Sequence, residues 1–139
     1  MAFSVILSSW VENELKLILI NWGDSKPGHI NWKNLKEEFQ SFSETSFDSF
    51  GEYVLVEDIR NFANQFKHND GNANKWLANR YIELGFKEGS RMDYSKIDWR
   101  SMIFAAKDFL ISNARAFLIA QSLEIVSDLL SKSTGDEGK

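Results

Sequence analysis

One stretch of this chain, residues 58–71, carries side chains of the types that bind and cleave phosphodiesters: Arg60, Asn64, Lys67 and His68. An arginine can fork onto a phosphate and stabilise negative charge as it develops. A histidine can give or take a proton near neutral pH, and an asparagine can orient either group. Metal-free cleavage of RNA needs a base for the 2′-hydroxyl and a cation for the phosphorane-like state, and these residue types supply both.

The spacing of these residues places them on one face if the stretch is helical. At roughly 100° per residue, and with Arg60 at zero, Asn64 falls near +40°, Lys67 near −20° and His68 near +80°. The opposite face, centred near roughly −140°, carries the apolar stripe Leu55, Ile59, Phe62 and Phe66. The stretch is therefore predicted to pack on one side and to present a polar patch on the other.

The same pattern has a second interpretation. Any amphipathic helix has a solvated face, and Lys67 and His68 would complement the negative C-terminal end of its dipole without any chemistry. Spacing alone does not separate this interpretation from a functional site.

Five helices are expected to position this patch, because apolar residues recur at steps of three and four along most of the chain. They are predicted over 3–21, 32–42, about 52–68, about 74–84 and about 98–132. Glycines at 71 and 85 suit the left-handed positions that end helices. No run alternates like a strand, so the fold class is all-α, a helical bundle of about five helices.

Two connecting segments are predicted to lack helix. Residues 43–51 are loop-like, with Phe47 and Phe50 expected against the core. Residues 86–99 are polar and irregular, and a short extended piece is expected around 94–97. Residues 1–132 are expected to form one domain, followed by a disordered tail over 133–139.

The last helix is long and apolar on more than one side. Such a helix either lies at the centre of its own fold or is shared with a partner. We therefore predict a homodimer through this C-terminal helix. The apolar residues that favour it are Met102, Ile103, Phe104, Phe109, Leu110, Phe117, Leu118, Ile125 and Leu129.

Composition limits the classes of function. The 139 residues include no cysteine and carry a formal net charge of −4, and no run of basic residues suggests a grip on duplex DNA. His29 and His68 lie far apart, so neither a metal site nor a cofactor is predicted. Neither a leader nor a span of roughly 18 apolar residues is evident. The sequence therefore favours a cytoplasmic protein that does not associate with a membrane.

Two further features indicate protein binding. Trp22, Trp32 and Trp99 sit at predicted loops or helix starts and are the tryptophans expected to be exposed as anchors. Lys67 is the fourth residue predicted to take part in binding. Acidic residues cluster in the first half, either as a solvated face or as a surface that covers a basic partner: Glu37, Glu38, Glu44, Asp48, Glu52, Glu57 and Asp58.

The residues around the patch resemble a known signature. The pattern Ile59-Arg60-x-x-x-Asn64-x-x-Lys67-His68-Asn69-x-Gly71 is similar to that of a group of bacterial helical proteins related in pattern to HEPN (higher eukaryotes and prokaryotes nucleotide-binding) domains. The likeness extends coarsely over residues 5–126, although only about a dozen residues carry it specifically.

The resemblance implies a helical bundle, often dimeric, from a bacterial conflict system such as toxin–antitoxin or CRISPR. Catalytic members are metal-independent endoribonucleases, and the resemblance carries Arg60, Asn61 and His68 into their roles. The chain departs from the catalytic pattern, because seven residues separate Arg60 from His68 where four to six are usual. On a continuous helix, the one extra residue turns the histidine by about 100°.

Three functions remain open on this basis. The first is a non-catalytic interaction protein, namely an immunity, antitoxin or regulatory module that binds a cognate toxin or a neighbouring gene product. The second is a ribonuclease toxin acting on RNA through Arg60, Asn61, Asn64 and His68. The third is a plain structural domain without chemistry.

Overall fold

The structure is a computed structural model that describes residues 3–23 and 31–137, with side chains to residue 133. Five α-helices follow one another: α1 Phe3–Trp22, α2 Trp32–Ser43, α3 Tyr53–His68, α4 Lys75–Arg80 and α5 Trp99–Glu137. No strand occurs within these two described ranges, where two isolated bridges are the only β pairing. The predicted all-α bundle with a long C-terminal helix is confirmed.

The core is built from aromatic side chains contributed by different helices. Phe47 stands between α2 and α5, with its ring centroid 5.3 Å from that of Phe39 and 5.0 Å from that of Phe109. Phe39 also meets Phe117 edge-on at 4.9 Å. Edge-to-face contacts at these distances add to the free energy gained from burying the rings. The connecting segment after α2 is therefore pinned to the core through Phe47, as its sequence predicts.

Helix α3 crosses the middle of the bundle and packs against α1 and α5. Its fully buried face holds Val56, Ile59 and Phe62, so the predicted stripe is correct at its centre. The two ends of that stripe are wrong: Leu55 is only partly buried, and Phe66 is 40% exposed. Phe66 lies in the last turn of α3, where its ring meets that of Tyr94 edge-on, with centroids 6.1 Å apart.

The segment between α4 and α5 differs from the prediction. The expected extended piece around 94–97 is instead a 3₁₀ turn, Tyr94–Lys96, because the Asp93 carboxylate accepts from the Ser95 backbone N–H at 3.0 Å. Helix α4 is also shorter than expected, and a 3₁₀ turn, Ile82–Leu84, completes it. Gly85 ends that turn at φ +78°, the left-handed conformation expected of it.

Helix α5 has two different halves. Its first half lies in the core, where Met102, Ala106 and Phe109 are buried. Every side chain over 122–133 is exposed. The backbone stays helical to Glu137 and the last two residues lie outside the described part, so disorder over 133–139 stays a prediction.

Length and composition also make α5 a candidate membrane span over Trp99–Ser133, and it is the one such helix in the described part of the chain. No span of this kind was predicted from the sequence. A core helix passes the same test of length and composition, and the first half of α5 packs in the core.

Candidate functional site on α3

Helix α3 presents the predicted patch on an unbroken helix. It continues to His68, where the backbone N–H groups of Asn69 and Gly71 donate to the carbonyl of Gln65 at 2.9 and 3.0 Å. Gly71 adopts φ +77°, a conformation that glycine reaches without the steric cost of a side chain. The predicted stop of the helix at this glycine is confirmed, and residues 60–68 keep the helical spacing on which the patch depends.

Asp58, two residues before Arg60, is completely buried and fully engaged. Its carboxylate accepts from Arg80 Nη2 at 2.9 Å, from the Tyr81 hydroxyl at 2.6 Å and from Trp76 Nε1 at 3.2 Å. Burial and then the hydrogen bond to Asp58 raise the pKa of Tyr81, and the hydrogen bond to Asp58 raises that of Arg80. The prediction that Asp58 belongs to an acidic surface is wrong, because the residue is buried and holds α4 against α3.

Arg60 lies at the surface but is held by two neighbours. Its guanidinium carbon stands 4.1 Å from the centre of the Trp32 ring, and Nη1 lies 3.4 Å from Glu57 Oε1. Its side chain is 21% exposed, and Nε is buried with no hydrogen-bond partner. Stacking on an indole and pairing with a carboxylate both oppose the movement that would free this cation for a phosphate.

Glu57 is the acceptor that joins this cluster together. The same oxygen, Oε1, also accepts from Trp32 Nε1 at 3.2 Å and from the Tyr53 hydroxyl at 2.7 Å. Lys36 lies 5.0 Å from the centre of the Tyr53 ring and 3.8 Å from Asp48. The pKa of Lys36 is raised, chiefly by its hydrogen bond with Tyr53. The cluster thus ties α2 and the turn Phe47–Ser49 to α3.

The side chain of Asn61 is also engaged in hydrogen bonds within the protein. Its amide nitrogen donates to the Glu57 carbonyl at 2.9 Å, and its Oδ1 accepts from Asn74 Nδ2 at 3.1 Å. Asn74 in turn caps α4, because its Oδ1 accepts from the Leu77 backbone N–H at 2.8 Å. Asn61 therefore orients the residue that starts α4.

The other predicted patch residues, Asn64, Lys67 and His68, are exposed. His68 follows Arg60 by eight residues, which is about 12 Å along the axis of a straight helix. No hydrogen bond or ion pair joins the two side chains in the described structure. Within the patch, Arg60 is thus engaged, as its neighbours Asp58 and Asn61 are, whereas Asn64, Lys67 and His68 are exposed, and one chain does not bring its arginine and histidine together.

The tryptophans expected at the surface behave differently from one another. Trp22 is 38% exposed, as predicted, whereas Trp32 is only 9% exposed because it lies beneath Arg60. Trp99 is partly buried and stacks against Tyr94. The most exposed tryptophan is Trp76, at 48%, and its exposure was not predicted from the sequence. It sits in the first turn of a short helix, and its exposure depends on how Asp58 holds that helix.

Metal-binding groups are not assembled in the part of the chain that the structure describes. No cluster of three or more His, Cys, Asp or Glu side chains occurs there. His29 lies outside the described residues.

One signal for the engaged cluster was present in the sequence. Glu57 and Arg60 are three residues apart, a spacing at which helical side chains of opposite charge meet. The hydrogen bonds from Trp32 to Glu57 and from Arg80 to Asp58 join residues that are 25 and 22 positions apart. No local sequence pattern predicts contacts over such separations.

Comparison with known proteins adds no further assignment: no family model, no curated protein and no solved structure matches this chain.

Proposed function

We propose that this chain is a non-catalytic interaction protein, an immunity, antitoxin or regulatory module of a bacterial conflict or defence system that acts in the cytoplasm. The observation that carries the proposal is the engagement of Arg60. Its guanidinium is stacked on Trp32 and paired with Glu57, while Asn61 holds the cap of α4. Two of the four side chains that a ribonuclease mechanism would use, Arg60 and Asn61, are thus engaged in contacts that hold the fold together.

A phosphate clamp at Arg60 would have to give up these contacts or bind on top of them. The carboxylate of Glu57 lies 3.4 Å from the guanidinium and would repel a phosphate placed beside it. A catalytic arginine is expected to point at the position where negative charge develops. Arg60 instead points its Nη1 at a negative charge of its own chain.

The partner surface that we propose is acidic. Residues 37–58 contain seven carboxylates and no lysine or arginine. Glu37, Glu44 and Asp48 are exposed along α2 and the turn after it, whereas Asp58 is buried in its clamp. An anionic face of this kind complements a protein with a basic surface, and it would speed the association of the two at low salt.

A binding experiment with charge-reversed variants tests this surface. The tagged chain is co-expressed with the products of the genes beside its own, and the affinity of any captured protein is measured at two salt concentrations. We expect Glu37→Lys with Asp48→Lys to weaken binding by at least about tenfold, the loss expected for a few disrupted charge pairs. The matched control is Glu83→Lys with Glu88→Lys, two exposed glutamates outside the acidic segment, and it should bind like the wild type.

Two results would overturn this part of the proposal. One is failure to capture any neighbouring gene product. The other is equal weakening by both pairs of substitutions, since a general change in net charge would then explain the effect.

The ribonuclease alternative keeps one supporting observation, namely that Lys67 and His68 are exposed together at the end of α3. The test is to incubate purified protein with total RNA and tRNA under metal-free conditions. We expect both to stay intact, and expression of the wild-type chain to leave growth unchanged. Cleavage or growth arrest that is lost in His68→Ala would show that the chain is a catalyst and that our proposal is wrong.

A further inference from the structure

The second half of α5 leaves the body of the protein while it remains strongly apolar. Gln121 donates to the carbonyl of Trp22 at the end of α1, and every side chain beyond it to residue 133 is exposed. Exposed apolar surface of this extent on one helix usually marks a binding site. Seven large apolar side chains are 47–65% exposed there: Leu118, Ile119, Leu123, Ile125, Val126, Leu129 and Leu130.

A groove runs beside the point at which α5 leaves the body. One wall is α5 itself, through Ala116, Ile119 and Leu123, and the other is formed by Phe42 and Phe50. Its volume is about 670 Å³. Polar and charged side chains line the rest of the groove, among them Glu44, Arg115 and Glu124. Its apolar walls are suited to receive the apolar face of an amphipathic helix.

The face of α5 that lines the groove continues beyond it. With Ile119 at zero, Leu123 falls near +40°, Val126 near −20° and Leu130 near +20°, at roughly 100° per residue. These four residues follow steps of four, three and four, which is the spacing of a coiled-coil seam. One narrow apolar stripe therefore lies half inside the groove and half on the projecting part of the helix.

The steps between these residues, four, three and four, have the same order in either direction along the helix. If a second α5 lies antiparallel, its Leu130 faces Ile119 and its Val126 faces Leu123. The projecting half of each copy then occupies the groove of the other. A two-fold axis between residues 124 and 125 closes both grooves at once, as an isologous interface requires.

The charges of this segment also favour a water-soluble pair. Glu124, Asp128 and Lys132 fall between roughly +140° and +220° on the same scale, opposite the seam. A paired helix keeps Asp128 and Lys132 in water and leaves Glu124 beside the groove that it lines, whereas a membrane-spanning helix would bury these charges at a high cost in free energy. Ala120, Ser122 and Ser127 flank the seam and place no charge next to it.

The area available is adequate for a stable dimer. The four seam side chains are 51–65% exposed and at roughly 50–100 Å² each contribute a few hundred Å² per copy, and the walls of the groove supply the rest. A standard interface buries about 800 Å² per partner.

We propose that two copies of this chain pair antiparallel through the exposed half of α5, with Ile119, Leu123, Val126 and Leu130 as the seam. This inference does not depend on the proposed function: Glu44 of the acidic face also lines the groove, but Glu37 and Asp48 do not. A heterologous protein can therefore bind the dimer, and either proposal can fail without the other.

Light scattering on the full chain tests the pairing. We expect twice the chain mass of 16.0 kDa at tens of micromolar protein, and a single-chain mass for Leu123→Glu with Val126→Glu. Both substituted residues are exposed, so helical content should not change. The control pair Leu17→Glu with Ile82→Glu replaces equally exposed residues elsewhere and should stay dimeric.

Cysteine variants test the orientation, because the chain has no cysteine of its own. A mixture of Ile119→Cys and Leu130→Cys chains should cross-link efficiently with a short thiol-reactive linker. Each variant alone should cross-link poorly, because antiparallel pairing separates like residues by about 16 Å along the axis. Efficient cross-linking of each variant alone would indicate parallel helices and would overturn the proposed register.

Two other outcomes would overturn the pairing itself. One is a monomeric wild type, and co-sedimentation of that monomer with neutral lipid vesicles would assign the apolar surface to a membrane. The other is a dimer that survives Leu123→Glu with Val126→Glu, which would place the interface elsewhere.

Discussion

The middle and the last turns of α3 both carry polar side chains and use them in different ways. In the middle turns Asp58, Arg60 and Asn61 each contact a side chain from another helix. In the last turns Asn64, Lys67 and His68 are exposed. Residue type therefore did not decide which polar groups hold the fold together. The neighbours brought by α2 and α4 decided it.

The largest expected effect comes from the clamp at Asp58. We expect Asp58→Ala to lower the free energy of unfolding by about 3 kcal/mol, because three donors lose a buried acceptor. The loss lies at the low end of the range for a broken buried ion pair, because the Arg80 side chain is 38% exposed and can turn to water. Urea denaturation measures the change. Asp108→Ala, an exposed carboxylate on α5, should shift stability by less than about 0.5 kcal/mol.

The second effect compares one residue type in the two parts of α3. Asn61→Ala removes the acceptor that orients Asn74 and should cost about 1–2 kcal/mol. Asn64→Ala, on the exposed part, should be neutral or slightly stabilising, because alanine favours helix more than asparagine does. Equal losses in the two variants, measured by urea denaturation, would remove the distinction that we draw.

The third effect appears at alkaline pH. Burial and the hydrogen bond to Asp58 raise the pKa of Tyr81 above its ordinary value of 10.0. The phenol therefore stabilises the folded state fully below pH 10, and this contribution is lost as pH rises above that value, by at most about 1.4 kcal/mol per unit. The stability advantage of the wild type over Tyr81→Phe should stay constant up to about pH 9 and shrink above pH 10. Denaturation curves across this range measure the difference, and an advantage that grew with pH would contradict the assigned contact.

The smallest effect is expected at the exposed end of α3. We expect the combined variant Asn64→Ala, Lys67→Ala and His68→Ala to change the free energy of unfolding by no more than about 0.5 kcal/mol, as surface substitutions usually do. Thermal unfolding checks this. A loss above about 1 kcal/mol would mean that these side chains also hold the fold, and the contrast between the two parts would disappear.

The sequence by itself determined the helices, because apolar periodicity and glycine stops are local signals. It located α3 within one residue of Tyr53–His68, the left-handed glycines at 71 and 85, and the burial of Phe47. The prediction of an extended piece around 94–97 was wrong, because the Asp93 carboxylate accepts from the Ser95 backbone N–H and stabilises a turn. A turn of this kind leaves no mark on apolar periodicity.

Only the tertiary structure decided what each polar residue does. Asp58 and Glu57 are adjacent acids, yet one is buried under Arg80 and Tyr81 while the other lies at the surface beside Trp32. These contacts join residues more than twenty positions apart, so their free energy depends on how the helices meet. Helical spacing placed Arg60 and His68 on one face, and packing then held the arginine and left the histidine in water.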